Sequence, residues 1–160
     1  MADIICNVAH GRQVELYNRV KDNDPSNAAF TVVLLQASEV DATLREYDDL
    51  ETLLLAAGNT EATFTNYARI VLTDTDLTAL PAADDVNDKR VFTLPDLVFT
   101  SAGGAANNTM TKLLFCYDSH AATSVDADIE PVFAFDYTET TSGSDLTITT
   151  AADMFTAQQQ

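Results

Sequence analysis

The sequence predicts a mainly β domain, a β-sandwich of jelly-roll-like build, with about seven or eight strands and two short helices in its N-terminal half. Three observations carry this expectation. Short apolar runs of strand length recur at 91–94, 97–100, 111–117, 129–137 and 146–149. Polar, turn-rich stretches separate them, 101–108, 118–128 and 138–145 among them. Twenty-one threonines suit strands whose outer face meets water.

Taken in order, Asp3 to Val8 reads as strand-like around Cys6. Residues 12–22 place Val14, Leu16, Tyr17 and Val20 on an apolar arc. A short helix is favoured over a strand there, because Asn23, Asp24 and Pro25 follow as a stop signal. Phe30 to Gln36 is β-branched and nearly all apolar, as a strand buried on both faces should be. A second helix is predicted after Asp48, which would cap it with Glu51 reaching back. Leu50, Leu53, Leu54 and Ala57 then share one face, and Gly58 with Asn59 ends it. From Phe64 the period becomes two. Phe64, Ala68, Ile70 and Leu72 lie on one side, with Thr65, Tyr67, Arg69, Val71 and Thr73 on the other. Residues 74–89 form an acidic, proline-containing loop. Met154 and Phe155 begin a last short strand before Gln158 to Gln160.

The chain has 160 residues, is 46% hydrophobic and shows no internal repeat or Pro/Ser-rich linker, so a single domain over 1–160 is expected. No apolar run approaches the roughly 20 residues of a membrane span. The N-terminus lacks the basic start and apolar stretch of a signal peptide, which predicts synthesis in a cytoplasm. Net charge is −17, and no Lys or Arg follows Lys112. Such a surface repels phosphates, so neither nucleic acid nor an anionic membrane is an expected partner. Cys6 and Cys116 lie in apolar settings and are expected to be two buried thiols rather than a disulfide.

Motifs for catalysis and metal binding do not assemble. There is no Gly-x-Ser-x-Gly elbow, and the two histidines read as a turn residue (His10) and a surface loop residue (His120). A Cys116–His120 pair is disfavoured because Cys116 should point into the sheet. Asp22 with Asp24, Asp74 with Asp76, Asp84 with Asp85 and Asp88, and Asp126 with Asp128 are carboxylate pairs. None fits an EF-hand loop. For the 118–128 loop, weak calcium binding is set against a solvated acidic loop, which is preferred. Gly103-Gly104 lacks the Gly-Lys-[Ser/Thr] of a phosphate cradle and reads as a tight turn with positive φ. Arg69 is the charged residue inside a strong strand; it either pairs with a carboxylate or lies on the wet face. The expectation is no enzyme, no cofactor and no metal.

Several stretches, in order, carry a family resemblance. They are Gly11-Arg12-Gln13-Val14-Glu15-Leu16-Tyr17-Asn18-Arg19-Val20, Asn23-Asp24-Pro25, Val33-Leu34-Leu35 and Asp41-Ala42-Thr43-Leu44 with Tyr47-Asp48-Asp49-Leu50. Phe64-Thr65-Asn66-Tyr67-Ala68-Arg69, Ala102-Gly103-Gly104-Ala105-Ala106-Asn107-Asn108-Thr109, Lys112 to Asp118 and Thr141 to Leu146 continue it. Together they resemble a family of small structural proteins of tailed double-stranded DNA bacteriophages, of the head-decoration or tail-fibre-like kind. The resemblance implies a virion protein made in the host bacterium. Its expected role is to bind the outer surface of the major capsid shell as a cement protein, as a homo-oligomer with a trimer favoured. A tail or neck subunit and a host-surface-binding module are the alternatives. The contact surface is expected in residues 1–25, as an interaction arm or helix, and on the Arg69 strand. Its candidate residues are Arg12, Val14, Tyr17, Arg19 and Arg69.

Overall fold

The computed structural model describes residues 3–82, 84–86, 89–150 and 155–158. The fold is mainly β. Its strands are β1 (Ile4–Ile5), β2 (Ala29–Ala37), β3 (Thr60–Glu61), β4 (Ile70–Leu72), β5 (Lys89–Phe92), β6 (Leu97–Phe99), β7 (Lys112–Asp118), β8 (Ile129–Asp136), β9 (Leu146–Ile148) and β10 (Phe155–Gln158). The helices are α1 (Gln13–Lys21), α2 (Asp41–Leu44) and α3 (Leu50–Leu55). Among the described residues no helix is long and apolar enough to cross a membrane.

One antiparallel sheet organises everything else. Its order is β1-β8-β7-β2-β3, and β4 pairs with the Phe30–Val32 part of β2, on the edge where β3 pairs with Leu35 and Ala37. β2 and β7 are central and sealed on both faces, which is why their sequences run almost continuously apolar. Directly opposed residues share a face of an antiparallel sheet. On one face Phe30, Val32, Leu34, Leu113 and Phe115 join the larger core. α1 packs there through Leu16, Tyr17 and Val20, along with Phe92 of the β5–β10 ribbon and Leu97, Phe99, Leu146 and Ile148 of the β6–β9 ribbon. On the other face Val33, Leu35, Leu114, Cys116 and Ala134 pack under α2 and α3 through Leu44, Leu50 and Leu53. The result is a sheet with a helical layer on one side and a mixed layer of α1 and ribbons on the other.

Local chemistry explains most boundaries. α3 starts one residue later than the sequence suggests: Asp49, not Asp48, caps it, its carboxylate accepting from Thr52 N–H at 2.7 Å. The Asp48–Glu51 capping box is therefore not formed. At the other end the Asn59 side-chain amide donates to the Leu53 carbonyl at 3.0 Å, and the helix stops before Ala57. The strand expected from Phe64 onward shrinks to β4. Asn66 turns the chain at φ 70°, and Phe64 and Tyr67, expected on opposite sides, pack together with ring centroids 5.1 Å apart. α2 and β3 carry no strong pattern in the sequence. Each is held by tertiary contacts, α2 through buried Leu44 and β3 through pairing with β2. Asp88 and Met154 lie outside the described residues.

Candidate functional site

The five residues expected at a contact surface do not form one patch. Tyr17 is buried in the larger core, its hydroxyl hydrogen shared between the carbonyls of Thr78 (3.0 Å) and Thr93 (2.9 Å). It offers no surface, and the sequence reading is corrected there. Val14 is half-buried against the same core. Arg12 and Arg19 remain partly exposed, yet both are paired. Arg12 Nη1 donates to Glu130 Oε2 at 2.8 Å, and Arg19 Nε to Glu15 Oε1 at 2.8 Å. α1 is thus built into the body of the domain rather than projecting from it as an arm.

Arg69 lies across the sheet from these four. The register that opposes Thr31 to both Val71 and Cys116 puts Val71 on the helical face, and Arg69, two residues earlier, shares that face. Its guanidinium is forked between two carboxylates. Nε and Nη2 donate to Glu61 at 2.8 and 2.7 Å, while Nη1 and Nη2 donate to Asp126 in the 3₁₀ turn Asp126–Asp128. The Tyr67 hydroxyl adds to the knot, donating to Glu61 Oε1 at 2.8 Å and accepting from Leu34 N–H at 3.1 Å. That amide faces the gap between β3 and β4, where no strand partner reaches it, so Tyr67 replaces a missing ladder bond. Of the two sequence readings of Arg69, pairing holds.

Arg69 hydrogen bonding holds the Asp126 carboxyl below its ordinary 3.8. A carboxylate whose folded pKa is depressed adds stability above its unfolded value and loses that stability as pH falls through the folded one. The site is partly open to water, so Asp126→Asn is expected to cost about 1 kcal/mol at neutral pH after solvent screening. In urea unfolding the gap between wild type and variant should close as pH drops below about 4. A gap that stays constant down to about pH 2 contradicts the pairing.

A second ionic tie fastens α2. Lys112 is fully buried, and its ammonium donates to Asp41 Oδ1 and Asp136 Oδ1, each at 2.6 Å. Burial alone disfavours the charged form; the bonds to Asp136 and Asp41 outweigh it and raise the pKa above its ordinary value.

The remaining reactive side chains have structural surroundings. Both thiols are buried and free; burial pushes Cys6 up to about 12 and Cys116 well above the ordinary thiol range. His120 is exposed with Nδ1 3.1 Å from Ser119 Oγ. Asp118 is turned to its own loop, accepting from His120 N–H (2.9 Å) and the Ser124 hydroxyl (2.6 Å). Among the described residues no three His, Cys, Asp or Glu side chains converge as metal binding requires. An apolar cavity between α1, β2, β5, β7 and β8, lined by Tyr17, Phe30, Phe92, Phe115 and Phe133 among others, measures about 10 Å³. That is room for about one water-sized sphere and no ligand.

Gly103, Gly104 and Gly143, all at positive φ, bring two loops into contact. Asn107 Oδ1 accepts from Gly104 N–H at 2.8 Å, and Thr141 Oγ1 accepts from Asn108 N–H at 3.0 Å. The tight turn expected of Gly103-Gly104 is a junction between the 102–108 and 141–145 segments. No family model matches this chain, and no curated protein or solved structure matches it either.

Proposed function

We propose that the chain is a structural protein of a tailed-bacteriophage virion, a decoration subunit that binds the outer surface of the major capsid shell and catalyses no reaction. One observation carries this reading. Stretches that resemble small phage structural proteins supply residues to the ties that hold the fold together. Lys112 fastens α2, Tyr67 and Arg69 knot β3 and β4 to the 3₁₀ turn, and Gly103 with Asn107, Asn108 and Thr141 joins two loops. A likeness in such residues concerns a scaffold that presents surface, not a cleft that holds a substrate.

A rigid acidic domain suits that role. Strong negative charge opposes unspecific clumping before assembly, and many copies on one lattice, as homo-oligomers with a trimer favoured, turn modest contacts into firm attachment. The test is quantitative mass spectrometry of purified particles. A decoration subunit is expected in the hundreds of copies per particle, whereas a neck or tail subunit gives about a dozen or fewer. Absence from washed, intact particles overturns the reading.

A further inference from the structure

Exposed large apolar side chains are ordinary when scattered singly, and informative when they gather. Four stand out on the helical side of the sheet: Leu55 (78% exposed), Val40 (64%), Val125 (62%) and Val71 (45%). Their placement follows from contacts already described. Val71 of β4 and Arg69 just before the strand share that face, Arg69 grips Asp126, and Val125 immediately precedes Asp126. α3, which carries Leu55, packs on the same 3₁₀ turn, and Val40 caps α2 beside it. Gly58, just past α3, lies so close to the Glu39 side chain that a Cβ would sit 2.3 Å from it, which joins the Val40 and Leu55 ends of the layer. Val98, by contrast, is on the β6–β9 ribbon across the sheet.

The charges around these residues define what can cover them. Exposed carboxylates stand on the same elements, Glu46 after α2, Asp48 and Glu51 at the start of α3, and Asp128 in the 3₁₀ turn. Among the described residues the cations of this face are engaged: Arg69 with Glu61 and Asp126, Lys112 with Asp41 and Asp136, and Arg45 Nε with the Asp41 carbonyl. A second copy of the chain would bring the same acidic rim at a net charge of −17 and be repelled. Nucleic acid and anionic lipid are repelled for the same reason. A basic protein surface with an apolar centre is complementary in both respects.

We infer that the helical face bearing Leu55, Val125, Val71 and Val40 docks on a protein partner whose contact surface is apolar at its centre and rich in Lys and Arg at its rim. The two ionic ties hold α2 and the 3₁₀ turn against the sheet, so the face is formed before the partner arrives. Only the partner's identity as a neighbouring virion subunit rests on the proposed function; the docking chemistry does not.

The experiment places a benzoylphenylalanine photocrosslinker at position 55, 125 or 98 of the full chain, in the cells that produce it. Positions 55 and 125 are expected to crosslink one common protein at a segment rich in Lys and Arg. Position 98 should yield about tenfold less of that adduct. In a companion chain with the crosslinker at 55, Glu51→Lys with Asp128→Lys should cut the adduct about tenfold, as loss of charge complementarity requires. Melting temperatures of all variants should stay near wild type, because the altered side chains are exposed. If the common protein is a virion component, both readings stand. If it is a basic protein absent from particles, the docking face stands and the virion role falls. Three outcomes overturn the docking face: equal adducts at 98 and 55, adducts to a second copy of the chain, or no common partner for 55 and 125.

Discussion

Lys112→Ala is expected to destabilise the fold by about 3 kcal/mol, because it removes the buried ammonium that bridges Asp41 and Asp136. The ammonium is fully buried, while Asp41 and Asp136 keep 17% and 30% of their side-chain surface, which places the loss at the low end for such groups. α2 should loosen first, since Asp41 is its first residue and Leu44 its buried anchor. Lys112→Met combined with Asp41→Asn and Asp136→Asn is expected to recover at least about half of the loss, since the carboxylates that faced the ammonium are then neutral. Denaturant unfolding of the variants measures both effects. A Lys112→Ala protein within about 1 kcal/mol of wild type contradicts the ionic tie.

Gly103→Ala is expected to cost about 2–4 kcal/mol, from two additive causes. At φ 93° an L-residue carries backbone strain of about 1–2 kcal/mol. The new Cβ would also lie 2.2 Å from Asn107 Oδ1 and 2.7 Å from Thr141 Oγ1, so both must move, which disturbs the Asn107 bond to Gly104 N–H inside one loop and the Thr141 bonds to Asn107 and Asn108 between the loops. Gly11 separates the causes. Its φ is 79° but no atom lies within 4 Å of an added Cβ, so Gly11→Ala should show the backbone strain alone. Equal melting shifts for the two variants would remove the junction from the account.

Elements whose pattern answers to burial were legible. β2 and β7 are apolar along both sides, since in this sheet both sides are covered. α1 and α3 showed helical spacing because each rests one stripe on the sheet. Elements held by a single partner were not legible. β3 is two residues whose strand character comes from pairing with Leu35 and Ala37, and α2 is one turn fastened by Leu44 and Lys112. The period-two run from Phe64 misled for a related reason. Asn66 reverses the chain inside it, so Phe64 and Tyr67 meet on one side, and only Ile70 to Leu72 finds a strand partner.

The candidate contact residues divide in the same way. Nothing local distinguishes Tyr17, with its buried hydroxyl, from a tyrosine at a surface, because Thr78 and Thr93 come from distant parts of the chain. Arg12 and Arg19 mark the accessible side of α1, and Arg69 marks the opposite face of the sheet. Leu55 and Val125 carried no signal of their own. An apolar residue at the end of a helix or in a loop becomes informative only when others lie beside it.

By itself the sequence determined the β-rich class, the two covered faces of β2, the strongly acidic exterior and the burial of both thiols. Each follows from composition or from periodicity along one segment. The tertiary structure alone decided that Lys112 is sealed beneath α2 and that Arg69 bridges Glu61 to Asp126. It alone showed that Leu55, Val125, Val71 and Val40 stay exposed. Those outcomes depend on groups far apart in the chain, and the register that brings them together is set by the whole sheet packing at once.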